Sequence, residues 1–315
     1  MNEKIIISPL DWGLGHATRC VPVIRSYLEQ GAEVEIASAQ IHKKFFAQEF
    51  PNLIWHEAPA YNIKYPKYGW AMPFWILRQL PLIYNIMREE NKWLADLCEK
   101  QKYTLIISDN RFGFFCKKIK SIYITHQLRI AMPFEKLGEK WHKGIMKNFD
   151  EIWVPDYEKF PGLAGKLSHP SYTDKRIKYI GPLSRLLPKP RFSEIKDFQD
   201  IDILALISGP EPHRSFFEEY AIKYLKEHPG NHCLVRGLPD EADVPSLPFP
   251  VFNHLPAKDL SEKISASRTV LCRSGYSTVM DLHLLKAKAI FVPTPGQTEQ
   301  TYLAKLAANN QLLLF

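Results

Sequence analysis

The chain has 315 residues, 45% of them hydrophobic and 24% charged, which is the balance of a folded globular protein and more length than one ordinary core accommodates. Its five scattered cysteines form no Cys-x-x-Cys pair, so neither a disulfide framework nor a zinc site is suggested and a reducing cytoplasm is the expected compartment. A formal net charge of +7 favours anionic partners, but with no Lys/Arg tract and no helix-turn-helix or RNA-binding signature, nucleic acid is not expected among them.

The first apolar run, IIIS at 5 to 8, is too short for a secretion signal and reads as a strand. A glycine-bearing loop, DWGLGHATR at 11 to 19, leads into a helical pattern over 17 to 30. Next come VEIAS, a helical segment over 39 to 50, LIWHE, a long helical stretch, and the runs TLIIS at 104 to 108, SIYIT at 121 to 125 and EIWVP at 151 to 155. Strand alternating with helix at this spacing predicts parallel βαβ units with helices on both faces. A stretch rich in proline and charge, 181 to 198, reads as an interdomain linker, after which the alternation restarts. The second set comprises DILALIS at 202 to 208, a helix over 213 to 227, NHCLV, FPVFNHL, RTVLC at 268 to 272, a helix from Ser277, AIFVP at 289 to 293, a helix from Thr298, and NQLLLF as a last strand. The expected organisation is two doubly wound Rossmann-like α/β domains facing a cleft: an acceptor domain at 1–184, a linker at 185–200 and a donor domain at 201–315.

In such sheets ligands lie beyond the carboxyl ends of the strands, and the first loop stands there. Gly13 and Gly15 allow a sharp turn and a close approach, and the helix start behind them offers amides to an anion. His16, at that positive end, is biased toward the neutral imidazole that can accept a proton. It reads either as a base or as a helix-cap residue. Asp109, ending the strand TLIISD, reads either as the acid that orients His16 or as a turn aspartate.

A second constellation follows RTVLC. RSGYST at 273 to 278 opens a helix whose free amides, with Arg273 and a hydroxyl from Ser277 or Thr278, form a diphosphate cradle. Asp281, about one turn on, suits a ribose. After the next strand, Gln297, Glu299 and Gln300 suit sugar hydroxyls. Each has a plainer use as a cap, turn or first-turn residue, but they occur together at two successive strand ends.

With these motifs the chain resembles GT-B nucleotide-sugar glycosyltransferases, closest to the group holding the lipid-II-forming N-acetylglucosaminyltransferase (family 28) and the UDP-glycosyltransferases. GLGHATR matches the amino-terminal loop with its catalytic histidine, and RSGYSTVMDL followed by VPTPGQTEQ matches the donor signature. The resemblance implies His16 as base with Asp109 as partner, Arg273, Ser274, Gly275 and Thr278 at the diphosphate, Asp281 at the ribose, and Gln297, Glu299 and Gln300 at the sugar. ISGPEPHR at 207 to 214, with Gly209 and Arg214, resembles the loop that opens the second domain toward the donor, and FNHL at 252 to 255, with His254, falls where the family holds the base.

The implied reaction is inverting transfer from a UDP-sugar to a hydroxyl acceptor in cell-envelope glycan synthesis, with no metal and no cofactor besides the donor. The string Asp200-Ile201-Asp202 spells a metal signature but begins a strand, at the wrong end of the sheet. Residues 61 to 94 mix aromatics with Lys64, Lys67, Arg78 and Arg88 and are too broken by Arg78 and Pro81 to span a bilayer. They read either as a helix hairpin lying on an anionic membrane to meet a lipid-linked acceptor or as a buried helix pair lining the acceptor pocket. GHATRC also resembles the Gly-His-x-x-Arg-Cys loop of nucleotide-sugar hydrolases of nonulosonic acid synthesis, in which the histidine activates water.

Overall fold

The computed structural model describes residues 3–62, 72–129, 135–186, 200–239 and 241–309. It forms two compact units, the first ending at Leu183 and the second beginning at Ser184. Most of the expected linker, 187–199, and the expected last strand, 310–315, lie outside the described residues.

The first unit runs β1 Lys4–Pro9, α1 Leu14–Glu29, β2 Glu33–Ser38, a 3-10 turn Gln40–His42, α2 Lys43–Glu49, β3 Ile54–Glu57, α3 Met72–Lys100, β4 Leu105–Asp109, β5 Lys120–Ile124, α4 Glu135–Met146, β6 Glu151–Val154 and β7 Ile177–Tyr179. Its seven strands lie in the order β3-β2-β1-β4-β5-β6-β7, every pair parallel. The order reverses between β1 and β4, which creates the crevice where doubly wound sheets bind ligands. Alternation explains the unbroken apolar runs: Ile5, Ile7, Leu105 and Ile107 pack with Cys20, Val21 and Ile24 of α1, while Ile6 and Ile106 pack with Leu94 of α3 on the other face. Each such isoleucine contributes about 1.5–3 kcal/mol of burial.

Of the stretch expected to fold as a helix hairpin or pair, residues 63–71, with Lys64 and Lys67, lie outside the described residues, and 72–94 belong to one helix, α3, with Pro81 inside it. Pro81 is exposed, so the carbonyl that its missing N–H leaves unpaired can be met by water and the helix continues. Its inner stripe, Ile83, Ile86, Glu90 and Leu94, is buried, whereas Leu80, Leu82 and Tyr84 are 37, 47 and 58% exposed. Elements that the sequence left unassigned are α4, the three-residue β7 and, in the second unit, the helix Ala257–Ser265. Among the described residues no helix is long and apolar enough to cross a membrane.

The second unit runs β8 Ile201–Leu206, α5 His213–Glu227, β9 His232–Val235, β10 Val251–Phe252, α6 Ala257–Ser265, β11 Ser267–Cys272, α7 Tyr276–Leu284, β12 Ala289–Phe291 and α8 Thr298–Asn309. The strands lie β10-β9-β8-β11-β12, again all parallel, and the reversal falls between β8 and β11. Leu204 and Val270 face one core, Ala205 and Leu271 the other. Asp202, on the second residue of β8, accepts the Asn231 N–H at 2.8 Å and pairs with Arg268 at 3.2 Å. It stands at the amino end of the sheet, away from the loops considered next.

Candidate functional site

In the first unit the two strands flanking the reversal deliver the two residues singled out by the sequence. Pro9 is in register with Asp109, and the Leu10 N–H extends the pairing to the Asp109 carbonyl at 2.9 Å. Gly13 then turns the chain with φ +116° and ψ 172°, a conformation essentially reserved for glycine, and α1 begins with no side chain capping its first amides. Gly15 and His16 are the second and third residues of that helix.

His16 Nδ1 lies 2.8 Å from Asp109 Oδ1, and its side chain is 19% exposed against 0% for Asp109. Asp109 is held by more than histidine. Arg19 grips it with both Nε and Nη2, and Cys20 Sγ approaches Oδ2 at 3.7 Å. Positions 16, 19 and 20 share one face of α1, so a single helical turn converges on one carboxylate. Burial pushes the Asp109 carboxyl up, but the charges of Arg19 and His16 outweigh it and hold it at about 2. Burial and the Arg19 charge push His16 below the ordinary histidine value, against the pull of Asp109. The imidazole is therefore neutral near pH 7. A proton on Nδ1 directed at Asp109 leaves the Nε2 lone pair as the basic position.

Three supports were not read from the sequence. Arg19 stands one helical turn after His16, and the His-x-x-Arg-Cys spacing on a helix is the signal that brings it to the same carboxylate. His42, fully buried, approaches the Gly13 carbonyl with Nε2 at 3.2 Å, and burial pushes it down to about 4, so its neutral ring donates there. Behind the site, the buried pair Arg111 and Glu90 ties β4 to α3, with Arg111 also donating to the Pro59 carbonyl and Tyr61 donating to Glu90 at 2.7 Å.

The second unit uses its backbone. Gly275 precedes α7 with φ −68° and has no side chain of its own to cap the helix, and a Cβ there would meet nothing within 4 Å. Gly209, after β8, has φ +112° and equally open space. Ser277 and Thr278 lie in the first turn of α7, Glu299 in that of α8, and His254 just beyond β10, all at the carboxyl edge of the sheet. Asp281 accepts a hydrogen bond from Ser184, and burial pushes its carboxyl up to about 6.

Four side chains expected at the donor have other employment. Arg273 is buried over the Phe217 ring, and its Nη1 donates to the Val292 and Pro293 carbonyls at 2.8 and 3.0 Å. It braces the loop after β12 rather than standing as a cation for a diphosphate, and burial pushes it down to about 10. Ser274, fully buried, donates to the Gln300 carbonyl at 2.7 Å. Gln300 takes the Thr294 N–H on Oε1 and donates Nε2 to Gln297, at 2.8 and 2.7 Å. Arg214 pairs with Glu211 and Glu218, and Glu218 also holds Arg236. For Arg273, Ser274 and Arg214 the physical reason is shared: a buried donor is costly unless paired, and nearby carbonyls or carboxylates are the partners.

Residues 247–313 match the family described as glycosyltransferase family 28 C-terminal domain. An uncharacterized glycosyltransferase of Methanosarcina acetivorans is 22% identical over 94% of this chain and 81% of its own. Among solved structures, the spinosyn rhamnosyltransferase SpnG complexed with thymidine diphosphate is similar with a TM-score of 0.64 at 12% identity, covering 98% of this chain and 85% of that one. Acinetobacter baumannii MurG is similar with a TM-score of 0.52 at 17% identity, covering 98% and 83%. With two Rossmann-like units, a family 28 match in the second and relatives named glycosyltransferase along its length, the chain has the fold of GT-B glycosyltransferases and is similar to family 28 in its second unit.

Proposed function

We propose that the enzyme transfers a sugar from a UDP-sugar to a hydroxyl acceptor with inversion, using His16 Nε2 as general base. The observation that carries this reading is the His16–Asp109 contact of 2.8 Å at the carboxyl edge, across the strand reversal of the first sheet. Nε2 removes the acceptor proton as the acceptor oxygen attacks the anomeric carbon, and the diphosphate leaves with its charge met by the positive amino end of α7. Asp281 takes the ribose hydroxyls, and Glu299 and Gln297 the donor sugar. No metal has a role in this scheme.

For the acceptor, the exposed Leu82 and Tyr84 beside the exposed Arg78 and Arg88 on α3 support contact with an anionic membrane carrying a lipid-linked substrate. Co-sedimentation with anionic but not neutral vesicles is the expected result. A second reading, hydrolysis by water activated at His16, is favoured by the way Arg19 and Cys20 join His16 on Asp109, the use the Gly-His-x-x-Arg-Cys pattern finds here.

The deciding experiment has two stages. A thermal-shift screen of UDP-, dTDP- and GDP-sugars identifies the donor, because binding raises the apparent melting temperature. Nucleotide release is then measured with and without hydroxyl acceptors in the parent and in His16→Ala. Release that needs an acceptor and falls by about 10²–10⁴-fold in the variant, with UDP affinity retained, is the expected outcome. Full turnover in His16→Ala would remove the base assignment, and equal release without acceptor would favour hydrolysis.

A further inference from the structure

We propose that Arg19 is the positioning residue of this site: it clamps Asp109 with its guanidinium fork and stands against His16 Nδ1, so that the ring is kept neutral and oriented with Nε2 outward. The inference rests on the reading of His16 as the base but concerns how that base is held.

The geometry is specific. Arg19 gives Nε to one carboxylate oxygen of Asp109 and Nη2 to the other, the bidentate arrangement that fixes a carboxylate in plane. The oxygen that takes Nη2, Oδ1, is also the one 2.8 Å from His16 Nδ1. Arg19 Nη2 is itself 2.7 Å from Nδ1, so the guanidinium and the imidazole converge on one oxygen. Arg19 and Asp109 are 2% and 0% exposed, so this charge pair is scarcely screened by water.

The consequence concerns charge. A histidine beside an unpaired aspartate is stabilised as imidazolium, because the two opposite charges attract. Here Asp109 is already neutralised by Arg19, and a proton arriving on Nε2 creates a second cation against the guanidinium. Arg19 thus opposes the protonated ring and Asp109 favours it. The other groups facing this cluster are His126 beyond β5, His42 at Gly13, Cys20 on Asp109 Oδ2, and Tyr123 of β5. Among them His126, when charged, opposes a charged His16 in the same sense as Arg19. The ring stays available as a base to lower pH than an ordinary histidine, and each proton it takes is readily given up.

The test reads the ring directly. Full-length protein labelled with 15N-histidine is titrated by NMR without substrate, His16 being assigned from its loss in His16→Ala. In the parent, the expected result is an Nδ1–H tautomer titrating below the ordinary histidine value. Arg19→Gln retains a donor and removes the charge, and there the His16 titration moves up by about one unit or more, as does the acid limb of the kcat profile. Arg19→Lys retains the charge without the fork, so its titration stays low while kcat falls. If His16 titrates in Arg19→Gln where it does in the parent, the proposal is overturned, even if activity still depends on His16. Should Arg19→Gln not hold its fold, a His16 titration in Arg19→Lys at or above the ordinary value overturns it equally. An Nε2–H tautomer in the parent would overturn both the orientation and the base.

Discussion

At the carboxyl edge of the first sheet the working groups are side chains held by other side chains: Asp109 by Arg19, His16 by Asp109, and behind them Glu90 by Arg111. At the same edge of the second sheet the group proposed for the donor is the amino end of a helix, and the side chains nearby hold backbone in place, Arg273 on the Val292 and Pro293 carbonyls and Ser274 on that of Gln300. The difference follows from the two tasks. Moving a proton needs a group whose protonation state and direction are fixed, and only a packed network of charges fixes both. Holding a diphosphate needs positive potential over a broad anion, and helix amides supply that without a titrating group.

The contrast is tested hardest at Glu90. Removing one member of a fully buried ion pair leaves the other charged and unsatisfied, a loss of about 3–5 kcal/mol, so Glu90→Ala should unfold in chemical denaturation at much lower denaturant than the parent. Replacing both, as Glu90→Leu with Arg111→Met, should recover most of that loss. If Glu90→Ala matched the parent, the first unit would not depend on buried charge in the manner described.

The glycines sharpen the same comparison. Gly13 has φ +116° and Gly275 has φ −68°, and both have open space where a Cβ would stand. Gly13→Ala should therefore lose about 1–3 kcal/mol of stability from backbone strain. Gly275→Ala should cost almost nothing in stability and instead weaken UDP binding, because the new methyl occupies space that a diphosphate would fill. Denaturation and calorimetric titration of the two variants separate a glycine needed for conformation from one needed for access. Equal stability losses would erase the distinction.

What the sequence disclosed and what it hid divide along the same line. The strands were legible because both faces of each sheet are covered, which writes unbroken runs such as IIIS and TLIIS. His16 and Asp109 were legible because strand ends mark where ligands bind, whatever the spacing between them. The fate of Arg273 was not legible. A cation before a helix start looks available until the carbonyls that claim it, 19 and 20 residues away in sequence, are seen beside it. His42 was hidden likewise, since its contact with Gly13 spans 29 residues. The single helix α3 was obscured by Pro81, which normally marks a break but here lies on an exposed face.

The smallest expected effect falls on Asp281 in the donor half. Asp281 is pushed up to about 6 by burial, with the Ser184 hydroxyl pulling part of the way back. Above that pH it is ionised and accepts hydrogen bonds from a ribose; as pH falls through 6 it protonates, and UDP affinity should weaken by about tenfold. The same shift runs the other way for stability. A carboxyl raised in the folded state binds protons more readily there than when unfolded, so its contribution is favourable at low pH and is lost as pH rises through 6. Asp281→Asn removes the buried charge, and at about pH 8 it should melt higher than the parent while binding UDP more weakly, with both differences shrinking at about pH 5. The variant therefore trades donor affinity for stability, the mark of a charge kept buried for binding. Melting and titration curves that run parallel for the two proteins across that range would mean that the carboxylate is placed for structure alone.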